Sequence, residues 1–223
     1  MPKYDKLRTV ILLGNVTKSA FYVANLYFIY MGELKMEKVT VYIVHGYTSS
    51  SEAEWFPWLK RKLMDIGINV TVFDMPNPNS PVAAEWDDHL EKKIKIRDEN
   101  TYFIGHSLGC ITLLRYLQKQ PINIKIGGAI LVSGFIERLP NYPILDSFIK
   151  SDLDMEMLTK MVQNRCVVSA PNDTIVAYKY SCELAKQFDA KLITVENGGH
   201  FIGQESFFEF PQLYDEFCKM INK

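Results

Sequence analysis

The chain has no excess of either charge, no clustered cysteines and no glycine loop of the kind that cradles phosphates. Its 25 Lys and Arg against 26 Asp and Glu leave a net charge of −1 over 223 residues. Nucleic-acid binding needs a basic patch to neutralise phosphates, so no nucleic-acid partner is expected. Cys110, Cys166, Cys182 and Cys218 lie far apart and form no C-x-x-C pair. Structural zinc needs clustered thiolates or imidazoles, so no metal is expected. Four scattered thiols in a domain of this size read as buried and reduced, which fits a cytoplasmic setting. Neither G-x-G-x-x-G nor G-x-x-x-x-G-K-[ST] occurs, and no cofactor is expected. Disorder is excluded as a general description, because 48% of the residues are hydrophobic and the net charge is small.

A clean membrane span is also lacking. Lys3, Lys6 and Arg8 precede a largely apolar stretch from Val10 to Met31, but Lys18, Asn15 and Asn25 interrupt it. Residues 1–35 are therefore read as an N-terminal extension ahead of a domain at 36–223. One reading is a mis-assigned start, with Met36 or Met31 as the true beginning. A second is a membrane-associating segment, and a third is a cleaved secretory signal, although no clean small-residue cleavage site follows. The sequons at Asn15, Asn69 and Asn172 are read as chance matches, since a glycan at either of the latter two would disrupt a strand or a site loop.

What is present from Lys38 onward is an alternation of short apolar β-rich runs with segments of helical period. Strands are expected at Val39–His45, Asn69–Asp74, Thr101–His106, Gly128–Ser133, Arg165–Ala170 and Lys191–Glu196. Helices are expected at Trp55–Ile66, Val82–Ile96, Cys110–Gln118, Ala177–Phe188 and Phe210–Met220. Such strand–helix–strand repetition predicts a parallel sheet of about six strands with helices on both faces, an α/β fold. The apolar stretch Glu137–Val162 reads as crossover helices with a long loop, as a small cap over a site, or as both.

Gly105-His106-Ser107-Leu108-Gly109 is a G-x-S-x-G. Alone the pentapeptide is weak evidence. Here it follows a strand and opens a helix, the setting a nucleophile elbow requires. The helix N-terminus behind Ser107 offers free N–H groups and a positive dipole end. A serine hydroxyl needs a base to take its proton. His200, after Gly198-Gly199 and the last strand, falls at the carboxyl edge of the sheet, where such folds place their sites. A carboxylate must hold the imidazole in the right tautomer. Asp173 in Pro171-Asn172-Asp173 completes the order nucleophile, acid, base of the α/β-hydrolases; Asp74 and Asp146 are alternatives. Oxyanion donors are expected at the N–H groups of Leu108 and Tyr47. His45, Gly46 and Trp55 are candidate substrate-binding residues. Trp55 is open between a cavity wall and the core, whereas Phe56 and Trp58 read as core.

Taken together, Val44-His45-Gly46-Tyr47, Trp55-Phe56-Pro57-Trp58, Met75-Pro76-Asn77-Pro78, Gly105-His106-Ser107-Leu108-Gly109-Cys110, Ile130-Leu131-Val132-Ser133-Gly134-Phe135, Asn172-Asp173 and Gly198-Gly199-His200-Phe201 give the domain a family likeness. It resembles the small single-domain serine hydrolases typified by retinoblastoma-binding protein 9 and the bacterial YdeN-type proteins. The resemblance runs from about Met36 to the C-terminus. It implies a minimal α/β-hydrolase sheet without the usual first antiparallel strands. It also implies Ser107 as nucleophile, Asp173 as acid and His200 as base, acting on small esters or amides. The extension at 1–35 is outside the family pattern. The retinoblastoma-binding signature Leu-x-Cys-x-Glu is missing, since Cys110 has Leu108 before it but Thr112 after it; that partner is not expected. The competing expectation is a silent binding module on the same fold. Within the enzymatic class, peptidase, thioesterase and acyltransferase action compete with esterase action.

Overall fold

The computed structural model describes residues 39–95, 97–150 and 152–221; the expected extension at 1–35 lies outside them. Six parallel strands form one sheet in the order β2-β1-β3-β4-β5-β6. The strands are β1 (Thr40–Val44), β2 (Asn69–Phe73), β3 (Thr101–His106), β4 (Ile126–Val132), β5 (Val162–Ser169) and β6 (Lys191–Thr194). The helices are α1 (Phe56–Asp65), α2 (Ala83–Lys93), α3 (Leu108–Gln118), α4 (Met155–Met161), α5 (Tyr178–Gln187) and α6 (Pro211–Ile221).

Period-two alternation splits each central strand between two cores. Tyr42, Val44, Phe103 and Leu131 face a layer made by α2, α3, α4 and α5, with Trp86, Leu114 and Leu184 in it. Val41, Ile43, Ile104 and Val132 face α1 and α6, through Leu59, Leu63, Leu213 and Phe217. Every residue of β1, β3 and β4 is buried, as expected where both faces of a parallel sheet are covered. The outer strands differ: Asn69 and Thr71 of β2 and Lys191 and Thr194 of β6 are exposed. Polar edges of that kind discourage pairing with another chain.

Boundaries shift from the sequence expectation by one to three residues at most elements, and four of the shifts have a clear local cause. Helix α3 starts at Leu108 rather than Cys110, because Ser107 reverses the chain in one residue. Helix α2 stops at Lys93, where Ile94 turns extended (φ −77°, ψ 119°). Strand β5 begins three residues early, because α4 runs straight into an extended Val162 (φ −95°, ψ 116°). Strand β6 ends at Thr194, beside the last residue of β5. Among the described residues, no helix is long and apolar enough to cross a membrane. The stretch Glu137–Val162 holds a 3-10 helix (Pro143–Phe148) and α4. Leu145, Phe148, Leu158 and Met161 fix it to the core.

Two buried histidines tie the sheet ends together. His45 is fully buried, its Nδ1 lies 2.7 Å from the Gly46 carbonyl, and its Nε2 accepts the Met75 N–H at 3.0 Å. Burial pushes its pKa below 6.5. Its neighbour in space, His106, is packed against Trp55 and Phe56. Burial, reinforced by His200, pushes the His106 pKa down to about 3.

Phe217 of α6 is fully buried, its ring edge-on to Tyr102 of β3. Phe217→Ala is expected to cost about 3–5 kcal/mol in urea unfolding, the usual penalty for emptying an aromatic core site. Acid is expected to act through the two histidines. Both are neutral when folded, whereas the unfolded chain protonates them near 6.5. The unfolded state therefore binds more protons as pH falls below that value, and stability drops. The His106 share should continue down to about pH 3, at roughly 1 kcal/mol per pH unit. Urea midpoints measured between pH 7 and pH 4 check this; a flat profile would contradict it.

Candidate active site

The strand order reverses between β1 and β3, and the loops after those two strands meet at the carboxyl edge. Open α/β sheets bind ligands at such a switch point. Ser107 sits there with φ 51° and ψ −118°, a left-handed conformation that an L-residue adopts at a cost. The turn is locked from both sides. The Ser107 N–H donates to the Val132 carbonyl at 2.8 Å, and the Ser107 carbonyl accepts from Cys110 at 3.0 Å. A Cβ at Gly109 would stand 2.2 Å from the Val44 carbonyl oxygen, and one at Gly105 would stand 2.8 Å from the Cys110 Cα. Only glycine lets α3 start this close to β1.

Ser107 opens into a cavity of about 590 Å³. Besides His106 and Ser107 of the elbow, its walls come from four segments. Gly46, Tyr47, Thr48, Ser49 and Glu54 belong to the loop after β1. Leu139, Tyr142 and Leu145 come from the stretch after β4, and Ile175 from the loop after β5. Ile202, Gly203, Gln204 and Phe208 follow β6. The expected cap stretch therefore supplies one wall. Ser107 Oγ has no hydrogen-bond partner among the described residues, and it shares the cavity with His200. The backbone N–H groups of Leu108 and Tyr47 likewise donate to no acceptor among those residues.

His200 is buried, and its Nδ1 meets Asp173 Oδ2 at 2.8 Å. The same Asp173 oxygen accepts from Ser133 Oγ at 2.8 Å. The other carboxylate oxygen accepts from the Ile175 and Val176 amides, each at 2.9 Å. Burial works to raise the Asp173 pKa, but His200, Ser133 and the Val176 amide outweigh it and hold the carboxyl below its ordinary value. Asp173 is thus kept as an anion with both oxygens occupied, and His200 Nδ1 carries the proton that faces it.

The backbone of His200 is held as firmly as its ring. Its N–H donates to Glu205 Oε2 at 2.6 Å, and its carbonyl accepts from His106 Nε2 at 2.8 Å. A carbonyl only accepts, so His106 bears its proton on Nε2. The preceding Gly199 N–H donates to Asn172 Oδ1 at 2.9 Å. The following Phe201 stacks on Phe210, with ring centroids 4.9 Å apart.

Ser107, His200, Asp173, Gly46, Tyr47 and the Leu108 amide are thus brought together at one edge. Trp55 and His45 are not. Trp55 is fully buried against Phe56 and Phe210 and lines no part of the cavity; it is a core residue, not a substrate wall. His45 is also fully buried and engaged at both nitrogens. Its role is structural. Its ring faces the Gly46 carbonyl, and the Tyr47 N–H of the same trans peptide points the opposite way. The alternative acids are occupied elsewhere: Asp74 accepts from Ser51 N and Oγ, and Asp146 lies 3.7 Å from Arg138. Ser133, His106, Glu205 and Glu54 were missed from sequence. Ser133 carried a usable signal, since it follows β4 at the same edge.

The model of the family described as Serine hydrolase matches residues 41–219. YdeN of Bacillus subtilis (strain 168) is 40% identical over 183 residues, 82% of this chain and 96% of its own. The crystal structure of that ydeN gene product superposes with a TM-score of 0.81, over 82% of this chain and 99% of that one. The serine hydrolase RBBP9 of Rattus norvegicus is 26% identical over 153 residues, 68% of this chain and 80% of its own. Est1E from Butyrivibrio proteoclasticus, at 17% identity, shares the fold with a TM-score of 0.61 over 86% of this chain and 92% of its own. A family match across nearly the whole described domain, joined to a structural relative at 40% identity, makes this chain a member of the serine hydrolase family, an enzyme on the α/β-hydrolase fold.

Proposed function

We propose that this hydrolase cleaves small carboxylic esters or amides through an acyl-enzyme on Ser107. The observation that carries the reading is the meeting of three things in one cavity: a serine on a strained turn, two undonated backbone amides beside it, and a histidine braced by a buried carboxylate. In the first step Ser107 Oγ bonds to the substrate carbonyl carbon while His200 Nε2 takes the hydroxyl proton. The carbonyl oxygen becomes an oxyanion, received by the Leu108 and Tyr47 N–H groups and the positive end of α3. As the carbonyl reforms, the bond to the leaving group breaks and His200 returns the proton to that group. Water repeats the sequence, restoring Ser107 and releasing the acid.

Asp173 stabilises the imidazolium without taking its proton, consistent with its lowered pKa. No group outside the protein is needed. A cavity of this size suits small-molecule substrates. The four free thiols, two of them buried, fit a reducing cytoplasmic setting.

The test is fluorophosphonate labelling of the full chain with the adduct mapped by mass spectrometry. Wild type is expected to carry the adduct at Ser107. Ser107→Ala is expected to lose it and to lose several powers of ten in ester turnover. Labelling that survives in a folded Ser107→Ala protein would sink the assignment. Ser133→Ala should be milder: removing one of four bonds to Asp173 is expected to lower kcat by about threefold to tenfold, read in the same ester assay.

A further inference from the structure

Among the described residues, Glu54 is the carboxylate that lines the cavity, and the mechanism above does not use it. It lies in the loop between β1 and α1 with φ 53°, a costly conformation that the surroundings must enforce. One oxygen, Oε2, accepts the Gly203 N–H from the loop that bears His200. The other, Oε1, has no hydrogen-bond or ion-pair partner among the described residues. Among the described residues, no lysine or arginine lines the cavity. The remaining carboxylates near His200 are occupied: Asp173 by its four bonds, and Glu205 by the His200 and Ile202 amides. Glu54 is half-buried, and burial raises its pKa against the pull of Gly203 and His200. A carboxylate already partly stripped of water gains more from a cation than an exposed one does.

Which part of a substrate would meet it follows from the proton's path. His200 must reach the leaving group to protonate it, so that group lies against the His200 loop. Glu54 is anchored on that loop through Gly203. The acyl part then falls toward the apolar wall of Leu139, Leu145 and Ile175. We propose that Glu54 is a specificity-determining residue that selects substrates whose leaving group carries a positive charge, such as esters of amino alcohols. This rests on the acyl-enzyme reading of Ser107 and His200.

The experiment compares matched acetyl and butyryl esters. One member of each pair has choline as its alcohol. The other has the neutral isostere in which tert-butyl replaces trimethylammonium. Wild type should show kcat/KM about tenfold higher for the cationic member. Glu54→Gln keeps an oxygen for the Gly203 N–H but removes the charge. It should bring the ratio close to one, with the neutral ester serving as the internal reference for any general loss. A wild-type ratio near one, or a ratio that Glu54→Gln leaves in place, overturns the proposal while leaving the hydrolase reading intact. Failure to turn over either ester also overturns it, even with Ser107 labelled by fluorophosphonate. No labelling at Ser107 would instead remove the reading on which it rests.

Discussion

The structure depends on one backbone constraint, the reversal of the chain at Ser107. A single residue with φ 51° converts the end of β3 into the first turn of α3. This works only if the helix start lies against β1, where Gly109 meets the Val44 carbonyl. The pairing of β3 with β1 on one side and β4 on the other therefore belongs to the site as much as to the core. Ser107 and Ser133 extend the sheet ladder past the strand ends through their N–H bonds to Val132 and Val168. Both have positive φ. The sheet thus absorbs the strain of the turn and turns two hydroxyls toward the carboxyl edge.

A second constraint is electrostatic. His106 lies directly before Ser107 in sequence and about 5.0 Å from the His200 ring by centroid. Were it to ionise, it would repel a positive charge on His200. Burial keeps it neutral, and its Nε2–H instead steadies the His200 carbonyl. Neutrality has a cost. His106 Nδ1 and the neighbouring Trp55 Nε1 are buried with no hydrogen-bond partner among the described residues, and each such atom forfeits on the order of 1–3 kcal/mol. The large aromatic cluster of Trp55, Phe56, Phe201 and Phe210 around them offsets that loss through burial.

Much of this was legible in the sequence, and the reasons are local ones. Strands β1 to β6 announce themselves as short apolar runs, and the elbow is a contiguous pentapeptide whose glycines are each demanded by a close approach. The order Ser107, Asp173, His200 follows from where strands end. What was not legible depends on contacts across the chain. Trp55 shares a helical stripe with Trp58 and Leu59, and periodicity alone cannot separate a core aromatic from a cavity wall. His45 sits beside a flexible glycine and so resembles a ligand-facing residue. Only the Met75 amide, 30 residues away, reveals it as a tie between strand ends. The bond from Glu54 to Gly203 spans 149 residues, and no pattern of spacing predicts it.

The carboxylates around His200 show why the arrangement separates tasks. Among the described residues, Asp173, Glu205 and Glu54 are the acidic side chains about the His200 imidazole. Left equivalent, they would compete for its proton and repel one another in a partly buried site. The fold makes them unequal by giving each a different set of N–H donors. Asp173 has two amides, a hydroxyl and the ring, so it is fixed as an anion at Nδ1. Glu205 has the His200 and Ile202 amides, so it fixes the backbone. Glu54 has the Gly203 amide alone, and burial raises its pKa where the bonds to Asp173 lower that one. The donors on each carboxylate thus set them apart: Asp173 carries four bonds and meets the His200 ring, Glu205 is held by two amides of the loop, and Glu54 keeps one oxygen unbonded among the described residues.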